Sequence, residues 1–337
     1  MSGDEPTASE NLIMNVQLGG HPVELAAEAD RRDAAQRYGH YIVRGPLFAL
    51  AACAPGDVGW RLLTPMTDGF PQASRDALNS RLWFRAKEDT DDPALRRELL
   101  SAVDRLESEP LDELTVAGTR YRVVRGDEFF YTHDGKVEPP RPTDPDPAVL
   151  DWDDRAADPE LDGDVVIDHA AATGVMASAE RLALRDLHYR SLRYPADVRA
   201  DSRSALRTHP GVVLLPAAFR VVERTDVGWE PAINILATPH AARRALADAL
   251  TTMWPRMYEL DADEEADYAR AAEEFRAAGR ANELEVGGRQ FSVARVARLI
   301  RVGADGPEPP RPSDVDPYGP SKIHPTMDEH GNITYDE

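Results

Sequence analysis

Apolar runs typical of strands alternate along the chain with stretches of helical periodicity. In the first half, "PLFALAAC" (46–53) and "WRLLTP" (60–65) flank a turn containing Asp and Gly, which predicts a hairpin. Pro71 then predicts a helix start, because its missing N–H costs nothing at the first helical position. A second helix is predicted by an apolar face at Leu95, Leu99, Val103 and Leu106.

This half closes with a second hairpin and a proline-rich segment. "ELTVAGTRYRVVR" (113–125) places Ala-Gly between two β-prone runs, which is the pattern of a tight hairpin. "EFFYTHDGK" (128–136) predicts one more strand and turn. "EPPRPTDPDP" (138–147), called strap 1 from here on, favours polyproline II because each proline fixes φ near about −65°.

The same order of signals recurs in the second half. "EPPRPSDVDP" (308–317), called strap 2, matches strap 1 at eight of ten positions. Residues 112–147 align with 282–317 without a gap and share 14 identities in 36 positions. "DVGW" also occurs twice, and "PQASRDAL" recurs as "PHAARRAL". We interpret these matches as an internal tandem duplication.

The repeated unit has the predicted order ββααββ(β), with a helical lead-in before it (22–38 and 177–192) and a strap after it. Because strands and helices are segregated, the predicted class is α+β, with two halves related by a pseudo-two-fold axis. Whether the halves share one sheet stays open at this point. The predicted organisation is a polar N-terminal segment (1–20), a first repeat unit (21–150), an acidic linker (151–176), a second repeat unit (177–318) and a disordered acidic tail (319–337).

Composition narrows the classes of partner. The 337 residues carry a formal charge of −21, which disfavours nucleic acid and anionic membranes as partners. The acids gather in three stretches, which we interpret as solvated loops and helix starts, with a DNA-mimicking face as the alternative. Cys53 is the single cysteine, so an internal disulfide and a cysteine-rich zinc site are excluded. The polar N-terminus and the lack of a long apolar run predict a cytoplasmic protein.

Chemical motifs narrow the function further. The sequence contains no Walker A motif, no G-x-G-x-x-G, no G-x-S-x-G and no H-E-x-x-H. We therefore predict no cofactor and no metal, and we lean towards a protein without enzymatic activity. Its predicted partner is another protein or a second copy of itself.

Two pairs of repeated side chains are candidates for binding. Trp60 and Trp229 each follow an Asp-Val-Gly turn, where a large aromatic residue serves packing or receives a small ligand. Arg75 and Arg243 lie in the first turn of a predicted helix, an unfavourable place for a cation. Either an intrachain carboxylate, with Asp57 and Asp226 as the first candidates, or an anionic ligand should offset this.

The straps supply further candidates. Arg141 and Asp144 recur as Arg311 and Asp314, and we expect each arginine–aspartate pair to clamp its strap in place. The strap prolines are expected to pack on aromatic residues, with Trp60 and Trp229 as first candidates. The repeated Arg125 and Arg295 complete the set of arginines that could hold an anion between the halves.

"VGGRQFSVARVARLIRVGADGPEPPRPSDVDP" (286–317), together with the P-x-A-x-R-x-A-L helix start and the paired "DVGW" turns, resembles the signature of a family of actinobacterial proteins of unknown function. The resemblance implies a cytosolic protein of a high-GC bacterium and carries over no functional residue. The first copy departs from it, with "RGDEFFYTHDGK" where the second has "VARLIRVGADG". A specialised face would therefore fall within 126–137.

Two functional classes remain. The first is a binding or scaffold protein, such as an adaptor of a larger assembly, which is favoured by the duplication, the lack of catalytic motifs and the acidic charge. The second is a small-molecule sensor or an enzyme of unrecognised type with an arginine-lined pocket between the halves. A concave pocket would favour the second class, and a flat exposed apolar patch would favour the first.

Overall fold

The computed structural model describes residues 15–17, 20–57, 59–154 and 158–335. Most of the predicted polar segment 1–20, Val58 of the first "DVGW" turn, and residues 155–157 of the acidic linker lie outside the described residues.

Helices begin where prolines and capping side chains predict. Pro71, Pro93 and Pro239 each occupy a first-turn position, and Asp261 forms a capping box with Glu264. A π-helical turn, Ala249–Met253, follows the sixth helix. The helices of the described residues are α1 (Pro22–Arg37), α2 (Pro71–Glu88), α3 (Pro93–Leu106), α4 (Val175–Leu184), α5 (Ala196–Thr208), α6 (Pro239–Asp248), α7 (Trp254–Met257) and α8 (Ala262–Ala278).

Two adjacent strands of 15 residues, one from each half, lie at the centre of the sheet. The strands of the described residues are β1 (His40–Cys53), β2 (Trp60–Leu62), β3 (Glu113–Val116), β4 (Thr119–His133), β5 (Lys136–Val137), β6 (Val166–Ile167), β7 (Gly211–Leu214), β8 (Ala218–Thr225), β9 (Gly228–Pro231), β10 (Glu283–Val286), β11 (Arg289–Gly303), β12 (Gly306–Pro307), β13 (Thr326–Met327) and β14 (Ile333–Thr334). Twelve of them form one sheet with the central order β6-β2-β1-β4-β11-β8-β9, and every described pairing in it is antiparallel.

The two halves meet where β4 pairs with β11. Gly126 lies opposite Ile300, and Phe130 lies opposite Val296, so the register repeats about a centre at Glu128 and Arg298. The predicted α+β class is confirmed, and the halves share one sheet. This reciprocal register agrees with a duplication, which stays an interpretation.

Alternation along the strands separates two apolar faces. On one face, Leu50 and Tyr121 pack with α2 and α3, and Phe219 and Phe291 pack with the helices of the second half. On the other face, side chains from both halves form one cluster that includes Val124 and Val296. Because this cluster continues across the seam, each half buries apolar side chains against the other.

Two predicted boundaries differ in the structure. The lead-in predicted at 177–192 is the shorter α4, and the helix that directly precedes the sheet in the second half is α5. "EFFYTHDGK" is not a separate strand, because β4 runs without interruption from Thr119 to His133. Paired backbone on both sides of β4 keeps this long strand extended.

The composition of 319–337 predicts disorder, but residues 319–335 lie against the first half. Met327 is buried among side chains of α2 and α3, and the Trp83 indole stacks on His324 at 4.7 Å. Trp83 also donates to the carbonyl of Pro325 at 3.1 Å. A few apolar and hydrogen-bonded anchors therefore order a polar segment.

Candidate functional site

Each strap is closed by its own side chains. In strap 1, the backbone N–H of Arg141 donates to the Asp144 carboxylate at 2.7 Å, while the Arg141 guanidinium donates to Glu138 at 2.6 Å. In strap 2, Arg311 makes the same two contacts, to Asp314 and Glu308, at 2.7 Å each. The predicted clamp is present, but the guanidinium binds the glutamate that opens the strap, and the aspartate accepts from the backbone.

The straps are exchanged between the halves. Arg125 of the first half donates through Nε to Asp314 of strap 2, at 3.1 and 3.0 Å. Arg295 of the second half donates through Nε to Asp144 of strap 1, at 3.1 Å to both oxygens. The backbone follows the same rule, since the N–H groups of these arginines donate to the carbonyls of Glu308 and Glu138 respectively. Each half therefore holds the strap that the other half supplies.

The exchange of straps also explains why Arg75 and Arg243 are tolerated in the first turns of α2 and α6. Arg75 contacts Asp316 of strap 2 and donates to Asp112 at 2.7 Å. Asp316 also accepts from the first-turn N–H of Gln72 at 3.3 Å. The strap thus places a carboxylate at the positive end of α2, where it offsets both the dipole and the arginine.

Arg243 repeats the arrangement in the second half. It donates to Asp146 of strap 1 at 2.9 Å, and Asp146 also accepts from the N–H of His240 at 2.9 Å. An intrachain carboxylate is therefore the partner in both halves. The expected partners Asp57 and Asp226 are wrong, because the strap aspartates occupy the helix N-termini instead.

The two tryptophans contact the turn that precedes the opposite strap. Trp229 donates to the carbonyl of Gly135 at 2.7 Å. The Trp60 indole lies so close to Gly306 that a Cβ there would overlap it, and the guanidinium of Arg122 lies 4.9 Å from its ring centre. Both rings thus contact the turn before a strap, and packing of the strap prolines on them stays a prediction.

A compact charged cluster surrounds Arg125. Its Nη1 donates to Asp127 at 2.9 Å, and its Nη2 contacts the Tyr189 hydroxyl at 3.2 Å. Tyr189 donates in turn to Asp127 at 2.6 Å. Burial alone would raise the pKa of the Asp127 carboxyl, but the Arg125 and Arg311 guanidiniums and the bond from Tyr189 hold it below its usual value.

This lowered pKa predicts a pH dependence of stability. A carboxyl whose pKa is lower in the folded state stabilises the fold above its unfolded pKa of about 4, and the stabilisation is lost as the pH falls through the folded pKa. We expect the unfolding free energy of the protein to fall more steeply below about pH 4 than that of Asp127→Asn, which has no such carboxyl to titrate. Urea titrations across this pH range measure both slopes, and parallel curves would refute the role of Asp127.

Empty space lies beside these contacts, around Arg31. A first cavity of about 290 Å³, the tyrosine cavity, lies between α1, α4 and β4. A second of about 320 Å³, the arginine cavity, lies between α1, α4 and β11. An outer cleft of about 490 Å³ separates the start of α1 from the segment before α4. Arg31 lines all three.

A hydrogen-bonded network forms the wall shared by the two inner cavities. Glu180 accepts from Arg31 at 2.9 Å and from the Tyr131 hydroxyl at 2.8 Å. Burial, and then the Glu180 carboxylate, raise the pKa of Tyr131 well above its usual value, so its hydroxyl remains a donor. The network fixes α1 against α4 and β4 and leaves the apolar walls of the cavities open.

The cavities contain residues that the sequence did not single out. Of the eight candidates, Arg141 lines the tyrosine cavity and Arg295 lines the arginine cavity. Arg31 and Glu180 were missed because they belong to lead-in helices without chemical motifs. Two further observations concern only the described residues: no group of three or more His, Cys, Asp and Glu is placed to hold a metal ion, and no helix has the length and apolarity needed to cross a membrane.

Comparison with known proteins adds one match. A family model described as a family of unknown function (DUF5954) matches residues 21–317. No curated protein and no solved structure matches the chain.

Proposed function

The chain belongs to this family of unknown function, and from its cavities we propose that the protein binds a small organic molecule between α1 and α4. The observation that carries the proposal is the junction of three cavities at Arg31. Their individual volumes lie at or near the range of about 300–1,000 Å³ that is typical of ligand sites.

Both halves build this site. α1 precedes the first half of the sheet, whereas α4 and the 213–217 wall of the arginine cavity belong to the second. The second functional class inferred from the sequence required an arginine-lined pocket between the halves. The arginine cavity supports that class, because Arg31, Arg181, Arg295 and Arg298 line it.

The exchanged straps support a binding role by holding the walls in place. Thr143 of strap 1 donates its N–H to Asp30 of α1 at 2.9 Å, and Ser313 of strap 2 donates to Asp201 of α5 at 3.0 Å. Strap 1 therefore anchors α1, which lines the cavities, and strap 2 anchors α5. A preformed pocket loses less entropy when a ligand binds.

A thermal-shift screen of small organic acids, bases and neutral compounds tests the proposal. Ala177 lines both the arginine cavity and the outer cleft, so Ala177→Trp is expected to fill the space where they adjoin. Ala266→Trp, on an exposed face of α8, is the matched control. We expect a ligand that raises the melting temperature of the protein and the control but not of Ala177→Trp. A screen without any ligand would contradict the proposal, and a ligand that Ala177→Trp still binds would exclude the arginine cavity and the outer cleft as its site.

The scaffold or adaptor role inferred from the sequence is a second candidate, supported by exposed apolar side chains beside the outer cleft. Leu25 of α1 and Val175 of α4 both line this cleft, and each is about half exposed. Such a patch is typical of contact surfaces between proteins. Sedimentation velocity over a range of concentrations would reveal self-association through it, and a monomer at every concentration would count against it.

A further inference from the structure

Arg125 and Arg295 occupy matching places in the two halves but have different surroundings. They lie 170 residues apart, and each donates through Nε to the aspartate of the opposite strap. The η nitrogens of Arg125 are bonded to Asp127 and Tyr189. In the part of the chain that the structure describes, the η nitrogens of Arg295 have no hydrogen-bond partner.

The difference begins with one substitution between the halves. The position that corresponds to Asp127 is Ala297, again 170 residues further on. The second half therefore lacks the carboxylate that occupies the η side of Arg125. Ala297 and Arg295 both line the arginine cavity, so the missing carboxylate corresponds to open space.

The space beside Arg125 is filled by the chain itself. The Tyr189 hydroxyl bonds Arg125 and Asp127, while its N–H donates to Ser202 of α5 at 2.9 Å. Tyr194 stacks on the Tyr189 ring at 4.8 Å. In the first half, Arg31 of α1 corresponds to Ser202, because Asp30 and Asp201 hold equivalent strap residues. Arg31 lines the arginine cavity, which is therefore the counterpart of the space that Tyr189 occupies and is open among the described residues.

The other cations of the cavity are already bonded. Arg298 donates to Asp162 at 2.6 and 2.8 Å, and Arg31 donates to Glu180 at 2.9 Å. Arg181 donates to backbone carbonyls, including that of Val212 at 3.0 Å. Arg295 is thus the arginine of this cavity that, among the described residues, donates through neither of its η nitrogens. The neighbouring wall, 213–217 with Val296 and Ala297, is mostly apolar.

We propose that the arginine cavity binds a small aryl carboxylate, whose carboxylate takes the η nitrogens of Arg295 and whose ring takes the place that Tyr189 fills in the other half. A guanidinium favours a carboxylate because its donors match the two oxygens. The apolar wall favours the ring. The proposal rests on the proposed function and adds the class of ligand.

Calorimetric titration of the full chain with benzoate, and with neutral benzamide of nearly the same shape, tests the proposal. We expect benzoate to bind in the millimolar range or tighter, and benzamide to bind about 10- to 100-fold more weakly, the effect of losing a charge-assisted hydrogen bond. This comparison uses the unaltered protein, so no variant has to fold for the result to count. Equal binding of the two compounds, or no binding of benzoate, would overturn the proposal.

The substitution Ala297→Asp locates the site. It restores in the second half the carboxylate that Asp127 provides in the first, and we expect it to weaken benzoate binding by about 10- to 100-fold without lowering the melting temperature. Ala297→Asn has the same size without the charge, and we expect it to retain most of the binding. If both variants bind benzoate like the unaltered protein, or both abolish it, the assignment to Arg295 is wrong.

The screen described above separates the two levels of the account. Suppose that a neutral ligand binds the protein but not Ala177→Trp, and that benzoate does not bind. The proposal of an aryl carboxylate would then be wrong, and the proposal of a small-molecule site would stand. If benzoate binds Ala177→Trp and Ala297→Asp as it binds the unaltered protein, both the proposed ligand class and the proposed site are wrong.

Discussion

Asp162→Ala is expected to lower the free energy of unfolding by about 3–5 kcal/mol, because it leaves Arg298 as an unpaired cation in the core. Both side chains are fully buried, with exposures of 0%. The Asp162 carboxylate accepts from both η nitrogens of Arg298, at 2.6 and 2.8 Å, and from the N–H of Met66 at 2.9 Å. Arg298 lies opposite Glu128 at the centre of the seam, so the pair supports the place where the halves join.

Asp164→Ala is the matched control. Asp162 and Asp164 both have a positive φ, 59° and 60°, so alanine introduces similar backbone strain at either position. Asp164, however, is fully exposed and pairs with Arg61 at 3.6 Å on the surface, where an ion pair contributes at most about 1 kcal/mol. Denaturant titration of the two variants isolates the buried pair, and equal losses would show that Asp162 acts through its backbone alone.

Asp314→Ala is expected to lower the unfolding free energy by roughly 3 kcal/mol, since several hydrogen bonds to a charged group are lost together. Asp314 accepts from Nε of Arg125 at 3.0 and 3.1 Å and from the N–H of Arg311 at 2.7 Å. Its loss removes the ion pair between strap 2 and Arg125 and leaves Arg125 with Asp127 as its remaining carboxylate.

Val315→Ala provides the control on the same strap. Val315 is 76% exposed, so its truncation should change the unfolding free energy by no more than about 0.5 kcal/mol. The two values come from the same denaturant titration. If Asp314→Ala is as mild as Val315→Ala, strap 2 does not lock the halves together.

Local signals in the sequence predicted the elements well. The prolines at Pro71 and Pro239 begin helices, and the Ala-Gly and Gly-Gly pairs lie in the turns between β3 and β4 and between β10 and β11. These features depend on neighbouring residues and on backbone geometry, so a single sequence contains them. The recurrence of both straps also predicted that they have the same place in each half.

The sequence alone did not predict which side chains the straps contact. A repeated motif does not reveal in which half it docks, so Asp57 and Asp226 were expected beside Arg75 and Arg243 on nearness in sequence. The strap carboxylates that bind these arginines, Asp316 and Asp146, lie more than ninety residues away and come from the other half. Pairing at that separation is set by the shared sheet.

Burial also changed the interpretation of the acidic linker. Its acids were expected on solvated loops, yet Asp162 is the carboxylate of the most buried ion pair in the described residues. Only the tertiary position of Arg298 distinguishes Asp162 from its acidic neighbours. The sequence does contain a signal for the arginine cavity, because Asp127 aligns with Ala297 within the segment where the two copies diverge. That difference can be interpreted as a cavity only once the position of Tyr189 is known.

The central claim is that exchanged straps join two similar halves into one cooperative unit. Differential scanning calorimetry of the full chain tests it most directly, because independently folded halves unfold in separate transitions. We expect a single transition whose calorimetric and van't Hoff enthalpies agree, and which Asp314→Ala shifts as a whole to lower temperature. Two transitions, with Asp314→Ala moving only one of them, would contradict it.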